Sequence, residues 1–297
     1  SRQSSFILCQ EVRKQLRIPY WIQGGIGLRS APVAKMLGAT GVVLGEQLWL
    51  ADESPLRHCA EAALWGHLDG TETVLLGPPE AAFRVYERSG RQRIAQLQQA
   101  VLKNENWRQM LTEQLQAHED PLIPMAQDIA LAGTLAQRHC TVGRILSAID
   151  ANIGPAIEQA HSHAALSAKS TLAQAHGTRY PIVQGPMTRV SDVAPFAQSV
   201  VANGALPLIA LSVMRKEQTR EVLQQTRSLL GARPWGVGLL GFMPLAFRQE
   251  QLEVVREVKP PFALISGGRP GQARELEELG ISTYLHVPSP GLLREFV

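Results

Sequence analysis

The sequence predicts an α/β fold of the (β/α)8 barrel type, and three observations carry the prediction. Five short apolar stretches follow one another from about residue 178 onward: "PIVQGPM", "ALPLIALSV", "PWGVGLLGF", "FALISGG" and "STYLHVPSP". Helix-like segments separate them: "VAPFAQSVVANG", "KEQTREVLQQTRSLLG", "EQLEVVREV" and "GQARELEELG". The apolar stretches alternate little, which is the pattern of strands buried on both faces of a parallel sheet. Successive βα units in one run favour a barrel, whose reactive groups gather at the strand C-terminal ends. A doubly wound open sheet is the rival arrangement.

The same rhythm runs through the first 78 residues. "SSFILCQEVRKQL" has helical apolar spacing, and "IPYWIQ" is a short strand-like run bounded by Pro19 and by Gly24-Gly25. "APVAKMLGA" predicts a short helix stopped at Gly38, and "TGVVLG" a second buried strand. Between about 79 and 177 the character changes. Pro78-Pro79 punctuates the chain, and strand signals thin out. Ile94, Leu97 and Val101, then Trp107, Leu111 and Leu115, recur at helical spacing, and "TVGRILSAIDANI" and "PAIEQAHSHAALSAKSTLAQA" continue that pattern. His161 and His163 stand two apart, so a helix points them in different directions and they make a poor metal pair.

Composition narrows the function classes. Hydrophobic residues make up 45% of the 297 and charged residues 19%, which is the balance of a folded globular protein. The net charge of +3 is too small to argue for nucleic acid or an anionic membrane. Four arginines, Arg84, Arg88, Arg91 and Arg93, crowd one stretch and read as a solvated helix face. Cys9, Cys59 and Cys140 are sparse, odd in number and form no CxxC pair, which points to reduced thiols in a cytoplasmic protein. No apolar run approaches the ~20 residues a membrane helix needs, and no signal-peptide layout opens the chain. A start at Ser1 and an end at "LLREFV" read as a piece of a longer polypeptide.

Glycines stand at the ends of several expected strands. "IQGGIG" places Gly24 and Gly25 after Gln23, and "VVLGEQLWL" repeats the pattern one unit later with Gly45, Glu46 and Gln47. Exposed backbone N–H groups at such loops can take a phosphate, and barrels commonly hold phosphate after their last two strands. The plain alternative is a pair of tight βα turns. "VQGPM" sets Gln184, Gly185, Pro186 and Met187 at another strand end, a path that can lie along a flat apolar ligand. "LHVPSP" leaves His286 at a strand end as a weak candidate for proton transfer. "ISGGRP" offers Ser266, Gly267 and Gly268 one unit earlier. There is no GxSxG motif, Walker loop or Cys/His nucleophile pair.

"RYPIVQGPMTRVSD", "PWGVGLLGF", "FALISGGRP" and "TYLHVPSPGLLREF" resemble the first five strands of the nitronate monooxygenase (2-nitropropane dioxygenase)-like family, FMN-dependent barrels that include flavin enoyl reductases. The wording is most similar to the versions associated with polyketide and polyunsaturated fatty acid synthases. Residues 1–78 resemble the last units of the same barrel. The resemblance therefore implies two partial barrels: residues 1–78 as the end of one, residues 79–177 as a helical connection, and residues 178–297 as the start of another.

It also implies an FMN phosphate held around Gln23, Gly24, Gly25, Gly45, Glu46 and Gln47, with the isoalloxazine against Gln184, Gly185, Pro186 and Met187. The chain departs from the family pattern in two places. The Gly-Gly-His loop that usually carries the active-site histidine is absent, so the catalytic residue is unknown and its role does not pass to His286. Gly238 also stands where many members have Asn after Gly-Val.

The implied activity is an FMN-dependent enoyl reductase component of a polyketide or fatty-acid synthase, reducing enoyl thioesters with NAD(P)H. Its partners would be acyl thioesters on an acyl carrier protein or CoA, with the arginine-rich stretch as a carrier contact, and other megasynthase domains. Neither nucleic acid nor membrane is expected. Nitronate oxidation with O2, a non-catalytic megasynthase scaffold and a generic phosphate-binding barrel are the alternatives.

Overall fold

The computed structural model describes residues 4–15, 17–87 and 93–297. The chain divides into two compact units, Ser1–Ser162 and His163–Val297.

Unit 1 begins with helix α1 (Ser5–Gln15), strand β1 (Trp21–Gln23), helix α2 (Ala31–Met36) and strand β2 (Gly41–Val43). β1 and β2 pair in parallel, with Ile22 opposite Val42. The intervening α2 makes this one βα crossover of the expected kind. A 3-10 turn at Glu46–Leu48 follows, then a second at Pro55–His58 and the short helix α3 (Ala62–Trp65). Strands β3 (Thr73–Leu76) and β4 (Phe83–Tyr86) form an antiparallel pair, with Leu76 opposite Phe83. This pair departs from the helical reading of the middle segment. Pro78-Pro79 lies in its connection, and the β-branched and aromatic residues on either side favour extended backbone.

Helices α4 (Arg93–Lys103), α5 (Trp107–Leu115), α6 (Ile129–His139) and α7 (Val142–His163) follow. α7 runs through Pro155, which has no N–H to donate, and continues past it to carry the exposed His161 and His163. Residues after 79 share cores with those before. Leu135, Ile145 and Ile149 pack with Ile22, Ile26 and Ala34, while Ile129 and Ala132 pack with Trp65 and Leu68. The arginine stretch is not one helix face. Arg84 lies on β4 and donates to the Thr73 carbonyl at 2.8 Å, Arg93 opens α4 and pairs with Asp120 at 3.0 Å, and Arg88 and Arg91 lie outside the described residues.

Unit 2 is a parallel half-barrel. Helix α8 (Thr171–His176) ends at Gly177, whose φ of 66° supplies the left-handed cap. Then come β5 (Val183–Gln184), α9 (Ala194–Ala202), β6 (Leu206–Ala210), α10 (Lys216–Leu230), β7 (Gly236–Leu240), α11 (Leu245–Val258), β8 (Phe262–Ser266), α12 (Pro270–Glu277), β9 (Ser282–His286) and α13 (Pro290–Phe296). The five strands lie side by side in chain order, all parallel. That order removes the doubly wound rival, which requires the strand order to reverse at a switch point. Right-handed crossovers that always step the same way stack their helices on one face. The core lies there: Ile209, Val237 and Ala263 from the strands and Ile281 just before β9 meet Leu223 and Val255 from the helices. β6 is buried throughout, whereas Ser282, Tyr284 and His286 of β9 alternate outward on an edge strand.

Among the described residues no helix is long and apolar enough to cross a membrane. No group of three or more His, Cys, Asp or Glu among them is placed to hold a metal ion.

Candidate functional site

The first candidate cluster surrounds the loops after β1 and β2. Gly24 and Gly25 have φ of 99° and 71°, so the chain leaves β1 through a turn that suits glycine. The Gly25 N–H donates to Asp128 Oδ1 at 2.6 Å. The Gly45 N–H donates to Gln47 Oε1 at 2.8 Å. Gln47 is fully buried, and its Nε2 donates both to the Ile26 carbonyl at 2.9 Å and to Asp128 Oδ2 at 2.8 Å. Glu46 Oε1 accepts from the Ala126 N–H at 2.9 Å. Ser30 closes the turn, accepting from the Gly27 N–H at 2.8 Å and donating to the Gly25 carbonyl at 2.5 Å. Gln23, by contrast, is exposed at the end of β1.

Asp128 is the residue sequence reasoning missed. It is only 6% exposed, and burial pushes its carboxyl above the usual carboxylate range. The nearby Glu46 adds to that rise, while the bonds from Gly25 and Gln47 oppose it. The sequence signal was an Asp immediately before an apolar helix, which reads as an ordinary N-cap.

An FMN phosphate entering these loops would have to displace contacts already made. The Gly25 and Gly45 amides already have acceptors within the chain, and the Gly25 acceptor is a carboxylate. Two unit charges at about 4 Å repel by about 4 kcal/mol at an effective dielectric of about 20, and a phosphate dianion doubles that. The hollow beside the loop, lined by Cys9, Ile22, Gly24, Gly25 and Ala34, has a volume of about 130 Å³. Small-molecule sites are commonly about 300 Å³ or larger. As folded, these residues do not fit the phosphate.

The second cluster lies at the C-terminal ends of the unit 2 strands. Gln184 spans β5 to β6: its Oε1 accepts from the Leu208 N–H at 3.3 Å, and its Nε2 also donates to the Gly185 carbonyl. The Met187 N–H donates to Ser191 Oγ at 2.8 Å, and the Met187 carbonyl accepts from the Val190 and Ser191 amides. Ser191 is fully buried, and its carbonyl takes the Ala210 N–H at the end of β6. The loop after β5 is thus fastened to the neighbouring strand, while Gly185 and Met187 stay exposed.

Pro186 turns back onto β7. A Cβ on Gly238 would lie 2.1 Å from Pro186 Cβ, so a side chain there and this loop path are incompatible. Gly238 thereby makes the seat for Pro186.

His286 is exposed at the end of β9, opening with Gly267, Gly268, Arg269 and Pro288 on a cavity of about 430 Å³. Four strand spacings separate β9 from β5, about 19 Å along the sheet. A cavity of about 560 Å³ lies in unit 1 among Trp65, Tyr86, Arg93, His118 and Asp120, and Arg93 of the arginine-rich stretch lines it, whereas none of the residues expected at the flavin does.

Together these features define an α/β protein with a parallel half-barrel and a loop-built C-terminal edge. No protein-family model matches the chain, and no curated protein matches it. Among solved structures it is similar to FabK from Thermotoga maritima, at 25% identity and a TM-score of 0.38, over 42% of this chain and 39% of that one. A point-substituted variant of the same FabK matches at 24% identity and a TM-score of 0.38, over 42% and 41%. The enoyl reductase domain of MlnA, from the macrolactin biosynthesis cluster of Bacillus amyloliquefaciens, matches at 16% identity and a TM-score of 0.32, over 35% and 24%. The chain spans about two fifths of the length of the FabK structures it resembles.

Proposed function

We propose that the chain is part of an FMN-dependent, enoyl reductase-like oxidoreductase serving polyketide or fatty-acid synthesis, with NAD(P)H as donor and acyl thioesters as substrates. The observation that carries the reading is the loop after β5, Gln184 to Met187. It is pinned by Ser191 and laid over Gly238, at the strand ends where a half-barrel presents its ligands. An exposed Gly185 and Met187 flanking a fixed proline make a flat, partly apolar edge suited to an aromatic ring. The motif resemblance supplies the identity of that ring.

The test is a visible absorption spectrum of the full chain after incubation with FMN and desalting. NADH and NADPH oxidation is then assayed with a short enoyl thioester. Retained flavin and thioester-dependent oxidation of the nicotinamide support the reading. Flavin reduction by an alkyl nitronate instead would move the assignment to nitronate oxidation.

A second reading, a non-catalytic barrel piece within a larger synthase, draws on the closed loops of unit 1, whose amides are spent internally. A folded chain that stays colourless with FMN and inert toward both substrates favours it.

A further inference from the structure

The segments that lead into β5, β6 and β7 lie at the N-terminal ends of three adjacent parallel strands, the end of unit 2 opposite the Gln184–Met187 loop. They enclose a cavity of about 540 Å³ lined by Arg179 and Arg233, with no aspartate or glutamate in its wall among the described residues. Its volume falls in the range of small-molecule sites.

Both arginines are held in place. Gly204 has a φ of 82°, and a Cβ there would lie 2.7 Å from Arg179 Cβ, so the stem of Arg179 rests directly on the Gly204 backbone. The Tyr180 N–H donates to the Gly204 carbonyl at 2.9 Å, and the Arg179 guanidinium lies 5.0 Å from the centre of the Tyr180 ring. Arg233 donates from Nε to the Leu230 carbonyl at 3.1 Å and from Nη2 to the Leu229 carbonyl at 2.9 Å, which fastens it to the last turn of α10. Those acceptors are neutral, so the positive charge stands. Elsewhere in unit 2 basic side chains meet carboxylates: Arg220 pairs with Glu217 and Glu257, and Arg215 with Glu250. Arg179 and Arg233 enter no ion pair among the described residues. Capping of α10 accounts for two bonds of Arg233, but not for a second arginine in the same cavity with no acid beside either.

We propose that this cavity binds a small phosphomonoester. Two fixed guanidiniums match the charge of its dianion, and their planar donor sets match phosphate geometry. Val201, Ala205 and Pro234 offer apolar wall for the organic part. A ligand held by Arg179 and Arg233 bridges the segments before β5 and β7 and stabilises unit 2 by mass action. The site lies away from the strand C-terminal ends and does not depend on flavin binding.

The experiment titrates the isotopically labelled full chain with phenyl phosphate and, separately, with inorganic phosphate at about pH 8, where both are chiefly dianions. Sodium chloride holds the ionic strength constant, and NMR follows the Arg179, Gly204 and Arg233 amides. The expected result is saturable shifts at these amides with a Kd for phenyl phosphate of about 1 mM or tighter, weakened about tenfold in Arg179→Gln and in Arg233→Gln. Inorganic phosphate should bind more weakly than the ester. Shifts that do not saturate by about ten times that concentration, or wild-type affinity in both folded variants, overturn the site. Equal affinity for the two phosphates overturns the ester assignment. Hexa-aspartate binding the same amides more tightly than phenyl phosphate overturns it in favour of an acidic protein segment. If Arg233→Gln fails to fold without its bonds to α10, Arg179→Gln, which leaves them intact, decides. If neither folds, the wild-type comparison of the two phosphates decides.

Discussion

The pyrrolidine ring of Pro186 occupies the space that a Cβ on Gly238 would need, 2.1 Å from that position. One residue's missing side chain thereby sets the path of the loop after β5. Gly238→Ala should push Pro186 off β7 and cost about 1–3 kcal/mol, the usual penalty of overpacking. Denaturant unfolding read at unit 2 amides, with shifts at Gly185 and Met187, checks it. An unchanged stability and loop would show that Pro186 has room to give.

His176 Nε2 and Tyr284 Oη lie 2.6 Å apart, with the His176 ring edge-on to Phe262 and Tyr284. Burial pushes the His176 imidazole below its ordinary value of 6.5. The unfolded chain therefore binds the proton more readily than the folded one. This contribution to stability is fully present above about pH 6.5 and is lost as pH falls through the folded value. Tyr284→Phe should cost about 1–3 kcal/mol by leaving a buried ring nitrogen unpaired. Unit 2 stability measured from neutral to mildly acid pH, with His176→Phe as the reference, would expose the slope. A slope shared by the variant would assign it elsewhere.

In unit 1, a Cβ on Gly133 would sit 2.1 Å from the Gly66 carbonyl oxygen. The backbone of α6 lies directly on the turn that ends α3. Gly133→Ala should force them apart and destabilise unit 1 by about 1–3 kcal/mol, with unit 2 unaffected. Hydrogen exchange resolved by unit reads both halves of this expectation.

Asp128 has the opposite sign to His176. Its folded carboxyl is raised above 3.8, so the folded state holds the proton longer than the unfolded one. Stability from this group is greatest below that value and falls as pH rises through the folded one. The stability of Asp128→Asn relative to wild type should therefore increase from about pH 4 toward neutrality. A pH-independent difference would mean that the ionised carboxylate is no burden where it sits.

Much of unit 2 was legible before any coordinates. Its strands and helices fall close to the stretches read from apolar runs and 3.6-residue spacing, because central strands such as β6 and β7, buried along nearly their whole length, demand uninterrupted apolar residues. The β3 and β4 pair escaped. Thr73–Leu76 and Phe83–Tyr86 are short, and their pairing depends on a partner the local pattern does not name.

Local sequence determined which stretches of this protein are strand or helix and where glycine must turn the chain, since propensity and periodicity act over a few residues. The tertiary structure alone decided what the glycines face. Asp128 reaches Gly25 across 103 positions, and Pro186 settles on Gly238 across two strand crossovers. Contacts between residues so far apart are set by packing, and packing sums over the whole unit rather than over any window of sequence.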